Sequence, residues 1–295
     1  KPNMAVKIVR YEEPVFRPPS EALSLIVQAT IGCSHNKCTF CGMYKGKKYR
    51  ERDVGEVKED LLMAREFYGD VKRLFLADGN ALAMDTAKLL EIMDFANDLF
   101  NLERISAYAT PIDLLEKSEE ELTILRNAGL KLLYVGIESG DDEILKEIRK
   151  GVTSKQIVEG CKKAIRCGID LSVTVITGLG GKKRMYENAK NTAKIINQIE
   201  PKYTAALTLI PVPGTTLYKK IEKGEFKLLN PVENLVELKW FVEGVECETI
   251  FRCNHASNYL PIGGNLPDEK ESIIKAIEYA IKNPRILKPE FLRGL

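Results

Sequence analysis

The chain has 295 residues, of which 44% are hydrophobic and 29% are charged, a composition typical of a globular protein with a large core. Lys and Arg total 44 and Asp and Glu total 42, so the chain lacks the basic excess of nucleic-acid-binding or anionic-membrane-binding proteins. We therefore expect neither nucleic acid nor a membrane as a partner. No apolar run approaches the roughly 18 residues of a membrane-spanning helix.

The N-terminal residues and the cysteines indicate the cellular compartment. Residues 1–17 show neither an apolar signal core nor a small-residue cleavage site. Three of the seven cysteines fall within nine residues, which favours metal binding over disulfides. We expect a cytoplasmic protein.

Short β-branched runs alternate with amphipathic stretches along most of the chain. The predicted strands are Leu23–Thr30, Arg73–Ala77, Arg104–Ala109, Lys131–Ile137, Asp170–Thr177 and Tyr203–Ile210. The predicted helices are Val54–Tyr68, Thr86–Phe100, Ser118–Asn127, Ser154–Cys167 and Tyr186–Gln198. This alternation predicts an α/β protein whose parallel sheet curls into a full or partial barrel.

The last part of the chain is less regular. We predict a strand over Val245–Cys253 and an amphipathic helix over Asp268–Ile281. The expected organisation is an N-terminal extension (1–20), a barrel (21–225) and a C-terminal extension packed on it (226–295).

In such barrels the reactive face lies at the carboxyl ends of the strands. Glycines, prolines and carboxylates gather there in the predicted pattern. Cys33 follows the first strand, Asp78–Asn80 follow the second, and Glu138 and Ser139 follow the fourth.

The cysteine loop contains Cys33, Cys38 and Cys41. Three thiolates in one loop can hold three irons of a four-iron cluster, leaving the fourth iron open to an outside ligand. A second interpretation is a zinc site, because His35 completes a Cys3His set. That interpretation, like an iron–sulfur electron carrier, describes a module without catalysis.

Several motifs together resemble the radical S-adenosylmethionine (SAM) superfamily. In that superfamily the cysteines follow the first strand, and an aromatic residue precedes the last of them, here Phe40. The usual spacing is C-x3-C-x2-C, whereas this chain has C-x4-C-x2-C. Leu74–Asn80 is similar to its strand-two motif, which usually ends Gly-Gly-Glu, and Ile176–Gly181 to its strand-five motif. Tyr134–Gly140 resembles the Gly-Ile-Glu-Ser motif of the branch that includes coproporphyrinogen oxidase, Elongator and the methylthiotransferases.

Two further segments, Arg17–Ala22 and Asn254–Leu260, resemble a group within the superfamily whose substrates are undefined. The resemblance implies a (β/α)6 partial TIM barrel with an oxygen-sensitive [4Fe-4S] cluster. It also implies an electron donor such as flavodoxin or ferredoxin. Reductive cleavage of SAM would yield a 5′-deoxyadenosyl radical that abstracts hydrogen from an unidentified substrate. A narrower hypothesis is an RNA-modifying radical enzyme, although the balanced charge counts against it.

The resemblance also implies which residues bind SAM. They are Phe40, Asp78, Gly79, Asn80, Tyr108, Glu138, Ser139, Lys150, Thr174, Ile176 and Ile210. Five of them have a structural alternative: Lys150 is suited to a helix C-terminus, Asp78 to a helix cap, and Tyr108, Ile176 and Ile210 to the core. Glu138 has a stronger claim, because a carboxylate at the end of an apolar strand needs partners.

The remaining cysteines do not suggest a second cluster. Cys247 and Cys253 are expected on one face of a strand, and Cys161 and Cys167 on a helix, too far round it to share a metal. We expect them to act as small hydrophobic side chains, without a role that the sequence identifies. His255, with Asn258 nearby, is a candidate for proton transfer to substrate, or else a structural histidine.

Overall fold

Parallel strands alternate with helices along residues 9–295, the part of the chain that the computed structural model describes. The first eight residues of the predicted N-terminal extension lie outside it. The described chain divides into two units: residues 9–36, 43–134 and 166–169 form the first, and residues 37–42, 135–165 and 170–295 form the second.

The first unit is built on a parallel sheet. In chain order it contains β1 (Leu25–Gln28), β2 (Thr30–Ile31), β3 (Arg50–Glu51), α1 (Val54–Tyr68), β4 (Arg73–Ala77), α2 (Thr86–Leu99), β5 (Arg104–Ala109), α3 (Pro111–Glu116) and α4 (Glu119–Asn127). Strand β4 lies between β1 and β5 and is parallel to both. The short strands β2 and β3 pair antiparallel. Buried apolar side chains fill β4, whose residues after Arg73 are fully covered.

Strand β6 (Leu130–Glu138) runs from the first unit into the second. The elements that follow are α5 (Asp142–Glu147), α6 (Ser154–Arg166), β7 (Asp170–Thr177), α7 (Met185–Ile199), β8 (Tyr203–Thr208), α8 (Thr216–Glu222), α9 (Pro231–Gly244), β9 (Thr249–Cys253), β10 (Ile262–Leu266) and α10 (Lys270–Lys282). In the second unit β7, β8 and β9 are parallel, and β10 joins β9 antiparallel.

Most predicted elements are confirmed. Val54–Tyr68, Arg73–Ala77, Arg104–Ala109 and Asp170–Thr177 occur with the predicted bounds. Helix α4 begins with a capping box, in which the Ser118 and Glu121 side chains bond each other's backbone N–H groups.

The C-terminal region departs from the prediction. The strand expected from Val245 begins only at Thr249, so Cys247 precedes it and does not share a strand face with Cys253. Strand β10 was not predicted, because Gly263 and Gly264 in its centre are poor strand formers.

Further details differ, including the following. Helix α9 was not predicted, although Asn230 caps it and Pro231 opens it. Cys167 lies one residue beyond the end of α6. Among residues 9–295 no helix is both long and apolar enough to cross a membrane.

A buried carboxylate holds the amino end of the first unit's sheet. Glu21 is fully buried and accepts hydrogen bonds from Arg104 Nη2 (2.6 Å), Ser106 Oγ (2.9 Å) and Tyr134 Oη (2.6 Å), as well as from Ser24 Oγ. Because a buried charge must be paired and hydrogen-bonded, these donors make Glu21 a fixed point of the fold.

Replacing Glu21 with Gln should therefore destabilise the protein. An amide presents an N–H group to partners that are themselves donors, and Arg104 loses its counterion. We expect the free energy of unfolding to fall by about 3 kcal/mol, measured by urea denaturation. The exposed Glu103→Gln control should change it by less than about 0.5 kcal/mol. Equal stability of the two variants would contradict this role of Glu21.

Candidate active site

The cysteine loop leaves the first unit's sheet at Gly32, whose positive φ of 76° is easily reached by glycine. Asp78, directly after β4, accepts a hydrogen bond from the Gly32 N–H at 3.0 Å. The Gly79 N–H in turn donates to the Gly32 carbonyl at 3.1 Å. Both the N–H and the carbonyl of Gly32, the residue before Cys33, are therefore hydrogen-bonded to the segment that follows β4.

Gly79 packs directly against the loop. A Cβ atom at this position would lie 2.7 Å from the Tyr44 ring, 3.0 Å from Cys33 Cβ and 3.0 Å from the Gly32 carbonyl oxygen. Only glycine fits such a close approach, so position 79 requires glycine for a steric reason at the first cysteine.

Asn80 connects the loop to helix α3. Its Oδ1 accepts from the Ser34 N–H (2.9 Å), and its Nδ2 donates to Ser34 Oγ (2.6 Å) and to both oxygens of Asp113 (3.0 and 3.1 Å). Asp113 also accepts from the Thr110 N–H at 2.7 Å as part of a capping box. Burial raises the pKa of Asp113 to about 6.

Asp78 takes part in a buried ion pair and does not cap a helix. Lys47 Nζ lies 3.0 Å from Asp78 Oδ2 and donates to the Glu12 and Pro14 carbonyls at 2.6 Å each. Gln28 Nε2 donates to Asp78 Oδ1 at 3.1 Å. The carboxylate thereby joins the N-terminal segment to the base of the cysteine loop.

The second part of the loop, Cys38 to Gly42, belongs to the second unit. The Thr39 N–H donates to the Ile148 carbonyl at 3.0 Å, and the Thr39 carbonyl accepts from the Leu217 N–H at 2.9 Å. A Cβ on Gly42 would meet Val212 Cγ1 at 2.6 Å. The Cys38–Cys41 turn is thus fixed to the segment after α5 and to the start of α8.

The three loop cysteines differ from most of the others in exposure. Cys33, Cys38 and Cys41 are partly exposed, as is the aromatic Phe40, whereas Cys161, Cys247 and Cys253 are buried. Burial raises the pKa of Cys161 and of Cys253 to about 12, which suits an inert thiol. Between residues 9 and 295 no group of three or more His, Cys, Asp and Glu side chains is arranged as a metal site. Cluster ligation by the loop therefore rests on donor chemistry and on the family motif.

Glu138 and Lys150, both SAM-binding candidates, form an ion pair. Lys150 Nζ lies 3.1 Å from Glu138 Oε1, and their side chains are only 7% and 12% exposed. Glu138 has a positive φ of 66°, and its carboxylate folds back over Gly136. Lys150 therefore has a carboxylate partner in addition to its position after α5.

Ser139 is bonded within the protein. Its Oγ donates to Asn188 Oδ1 at 2.6 Å, and Asn188 Nδ2 donates to the Ile176 carbonyl at 3.1 Å and to Glu237 Oε1 at 3.3 Å. Glu237 Oε2 accepts from the Gly178 N–H at 2.5 Å. This network joins the carboxyl ends of β6 and β7.

The remaining SAM-binding candidates lie on the sheet strands or just past them. Tyr108 packs edge-on against Phe75, with ring centroids 5.1 Å apart, which is the aromatic packing foreseen as its alternative role. Thr174 and Ile176 share one face of β7, with Thr174 partly exposed, and Ile210 follows β8.

The substrate candidates have different surroundings. Asn258 is buried, accepting from Thr208 Oγ1 (2.9 Å) and donating to the Ala206 carbonyl (2.8 Å), so its side chain has structural partners. His255 Nδ1 accepts from the Ser257 N–H at 3.1 Å, which leaves the proton of the neutral ring on Nε2. Burial lowers the pKa of His255.

Comparison with known families identifies the superfamily of this chain. Residues 27–194 match the model of the radical SAM superfamily, which covers both the cysteine loop and the Glu138–Lys150 pair. The chain belongs to the radical SAM superfamily.

Relatives and solved structures agree with this. The radical SAM chain is 27% identical to the heme chaperone HemW of Bacillus subtilis over 206 residues, 66% of this chain and 53% of that one. It is 24% identical to the putative methylthiotransferase MJ0865 of Methanocaldococcus jannaschii over 184 residues, 60% of this chain and 40% of that one. It thus spans about half the length of these curated relatives.

The fold is confirmed by solved structures. Coproporphyrinogen III oxidase (HemN) from Escherichia coli superposes with a TM-score of 0.57 at 20% identity, covering 75% of this chain and 51% of that one. The chain therefore has the α/β fold of radical SAM enzymes. It belongs to an enzyme superfamily whose cofactors are a [4Fe-4S] cluster and SAM.

The residues of this radical SAM protein fit those cofactors. Three partly exposed thiols are the soft donors that irons of a cluster require. Gly79 leaves no side chain over the loop beside Cys33. Lys150 supplies a cation suited to a carboxylate ligand.

Sequence reasoning missed Glu237, which lies on α9 and is 1% exposed. Burial raises its pKa to about 8, although the Gly178 and Asn188 donors oppose the shift. The available signal was a carboxylate within the apolar stretch Leu235–Leu238, because a buried carboxylate needs hydrogen-bonding partners.

The raised pKa of Glu237 predicts a pH-dependent stability. Between about pH 5 and pH 8 the unfolded carboxyl, with its ordinary pKa of 4.5, is ionised while folded Glu237 keeps its proton. Raising the pH then favours unfolding by on the order of 1 kcal/mol per pH unit. The wild-type free energy of unfolding, measured in urea, should fall with pH relative to that of Glu237→Gln. A difference that stays constant over this range would show that Glu237 titrates normally.

Proposed function

We propose that this enzyme cleaves SAM reductively and abstracts a hydrogen atom from its substrate. The observation that carries the proposal is the loop of three partly exposed thiols that follows the first strands within the family-matched segment. When bound, the reduced cluster and SAM supply a 5′-deoxyadenosyl radical. The protein's contribution is to hold these groups and to keep water away from them.

The residues of the chain take separate parts in this proposal. Cys33, Cys38 and Cys41 bind three irons of the cluster and leave the fourth to SAM. Lys150 pairs with the carboxylate of SAM, and Glu138 holds the Lys150 ammonium in place, 3.1 Å away. Apolar and polar contacts to the rest of SAM come from Phe40, Gly79, Thr174, Ile176 and Ile210.

We propose no particular substrate. The relatives include a heme chaperone and a putative methylthiotransferase, so they share no single substrate. The nearly equal numbers of basic and acidic residues do not favour an extended RNA-binding surface. The electron enters from a low-potential cytoplasmic donor, such as flavodoxin or ferredoxin.

Anaerobic reconstitution with iron and sulfide tests the cluster ligands. Cys38→Ala should lose the cluster absorption near about 400 nm and release no 5′-deoxyadenosine under reductant, because the cluster lacks a ligand. The matched control, Cys161→Ala, removes a buried thiol of α6 and should retain both properties. A colourless wild-type protein that holds one zinc and leaves SAM intact would refute the proposed function in favour of the zinc module.

Lys150 can be tested by SAM affinity. Lys150→Met should raise the SAM dissociation constant of the reconstituted protein about tenfold, since a loss of about 1.4 kcal/mol corresponds to that factor. Lys150→Arg keeps the charge and should restore most of the affinity. The control Lys146→Met changes an exposed lysine of α5. Equal SAM affinity of both Met variants, measured by calorimetry, would assign Lys150 a structural role only.

A further inference from the structure

We propose that Asp78 and Asn80 are positioning residues, which act on Cys33 by holding the backbone on either side of it and do not themselves contact SAM. The inference rests on the proposed function, in which Cys33 is a cluster ligand. It reassigns two residues that the family resemblance places among the SAM contacts.

The first observation is how residues 78–80 pair with residues 32–34. Asp78 accepts from the Gly32 N–H, the Gly79 N–H donates to the Gly32 carbonyl, and Asn80 accepts from the Ser34 N–H. Asp78 and Asn80 therefore hold the residues before and after Cys33. Gly79 lies between them, and a Cβ there would lie only 3.0 Å from Cys33 Cβ, so there is no room for a side chain.

The second observation is that both side chains are committed to protein partners. Asp78 is fully buried: its Oδ2 accepts from the Gly32 N–H and from Lys47 Nζ, each at 3.0 Å, and its Oδ1 accepts from Gln28 Nε2. A carboxylate with three donors and no exposed surface is not presented to a cofactor ammonium group. Its charge is balanced by Lys47, inside the protein.

Asn80 shows the same commitment. It is fully buried, and its amide group bonds Ser34 on one side and Asp113 on the other. Asp113 is in turn fixed by the capping box at the start of α3. The chain of bonds from α3 through Asn80 transmits the position of a rigid helix end to the residue after Cys33.

The third observation concerns the contacts between the end of the cysteine loop and the N-terminal segment. Lys47, which neutralises Asp78, also binds the carbonyls of Glu12 and Pro14. Tyr44 packs edge-on against Phe16, with ring centroids 5.5 Å apart. The N-terminal segment and the end of the cysteine loop therefore meet at the same ion pair that sets the conformation at Gly32.

Four variants of the full chain separate positioning from SAM contact and from general stability. Asp78→Asn and Asn80→Ala each remove part of the hold on the loop. Lys47→Met/Asp78→Asn removes both charges, so that no unpaired charge stays buried if the single Asp78 variant folds poorly. Glu21→Gln is the matched control, because it alters another buried carboxylate of the first unit, paired with Arg104.

The first measurement is hydrogen exchange of the cluster-free protein, followed by mass spectrometry. Peptides covering residues 30–36 should exchange about tenfold faster in the Asp78 and Asn80 variants, the factor expected for a lost hydrogen bond of about 1.4 kcal/mol. Peptides from α2 should be unchanged. In Glu21→Gln the residue 30–36 peptides should exchange as in the wild type, even though the protein is less stable.

The second measurement follows reconstitution. The Asp78 and Asn80 variants should lose iron to a chelator about tenfold faster than wild type, with an altered electron paramagnetic resonance signal of the reduced cluster. The SAM dissociation constant of the cluster-loaded fraction should stay within about twofold. Wild-type exchange and iron retention in these variants would overturn the proposal, as would weakened SAM affinity with an intact cluster.

Failure of the proposed function gives a different result. In that case the wild-type protein itself takes up no cluster and cleaves no SAM. The exchange measurement does not depend on the cluster, and it still decides whether Asp78 and Asn80 hold the backbone around Cys33.

Discussion

The Lys47–Asp78 ion pair is the interaction on which the cysteine loop depends. An isolated charge inside a protein is strongly unfavourable, so Asp78 can be buried only because Lys47, Gln28 and the Gly32 N–H all reach it. Once these partners are in place, the backbone at Gly32 has one arrangement. Cys33 follows directly, so the backbone next to the first thiol is held by a charge pair outside residues 33–41.

The second unit uses a similar solution at another pair of strand ends. Glu237 is buried on α9 and binds the Gly178 N–H after β7, while Asn188 connects it to Ser139 after β6. Here no cation is present among the bonded groups, and the carboxyl keeps a proton because burial raises its pKa to about 8. The carboxylate that follows β4 is therefore stabilised by ion pairing, and the α9 carboxyl group that binds the end of β7 is stabilised by protonation.

In the proposed function, the protein's contribution to radical chemistry is structural. The reactive groups belong to the cluster and to SAM, and the chain is proposed to provide ligands, a cation and fixed loops. The Glu138–Lys150 pair is nearly covered, which keeps the Lys150 ammonium oriented with little water around it. Rigid support of this kind matters because a catalytic group displaced by about 1 Å can lose much of its effect.

Local features of the sequence determined much of the fold and the main candidate residues. The alternation of apolar runs with amphipathic stretches predicted β4, β5, β7 and α1 with their observed bounds, since periodicity and capping are properties of neighbouring residues. Three thiols in nine residues indicated a metal site for the same reason. Glycine-rich β10 and helix α9 escaped prediction because tertiary packing stabilises them more than local preference does.

Only the tertiary structure decided the partners of the site residues. Nothing in the sequence connects Lys47 with Asp78, 31 positions later, or Glu237 with Gly178, 59 positions earlier. Asp78 and Asn80 were expected to bind SAM because they occupy the family's strand-two motif, yet their side chains bond the cysteine loop. Residue type predicts which chemistry a side chain can perform, but burial and the donors around it depend on contacts far apart in the chain, which form only when the chain folds.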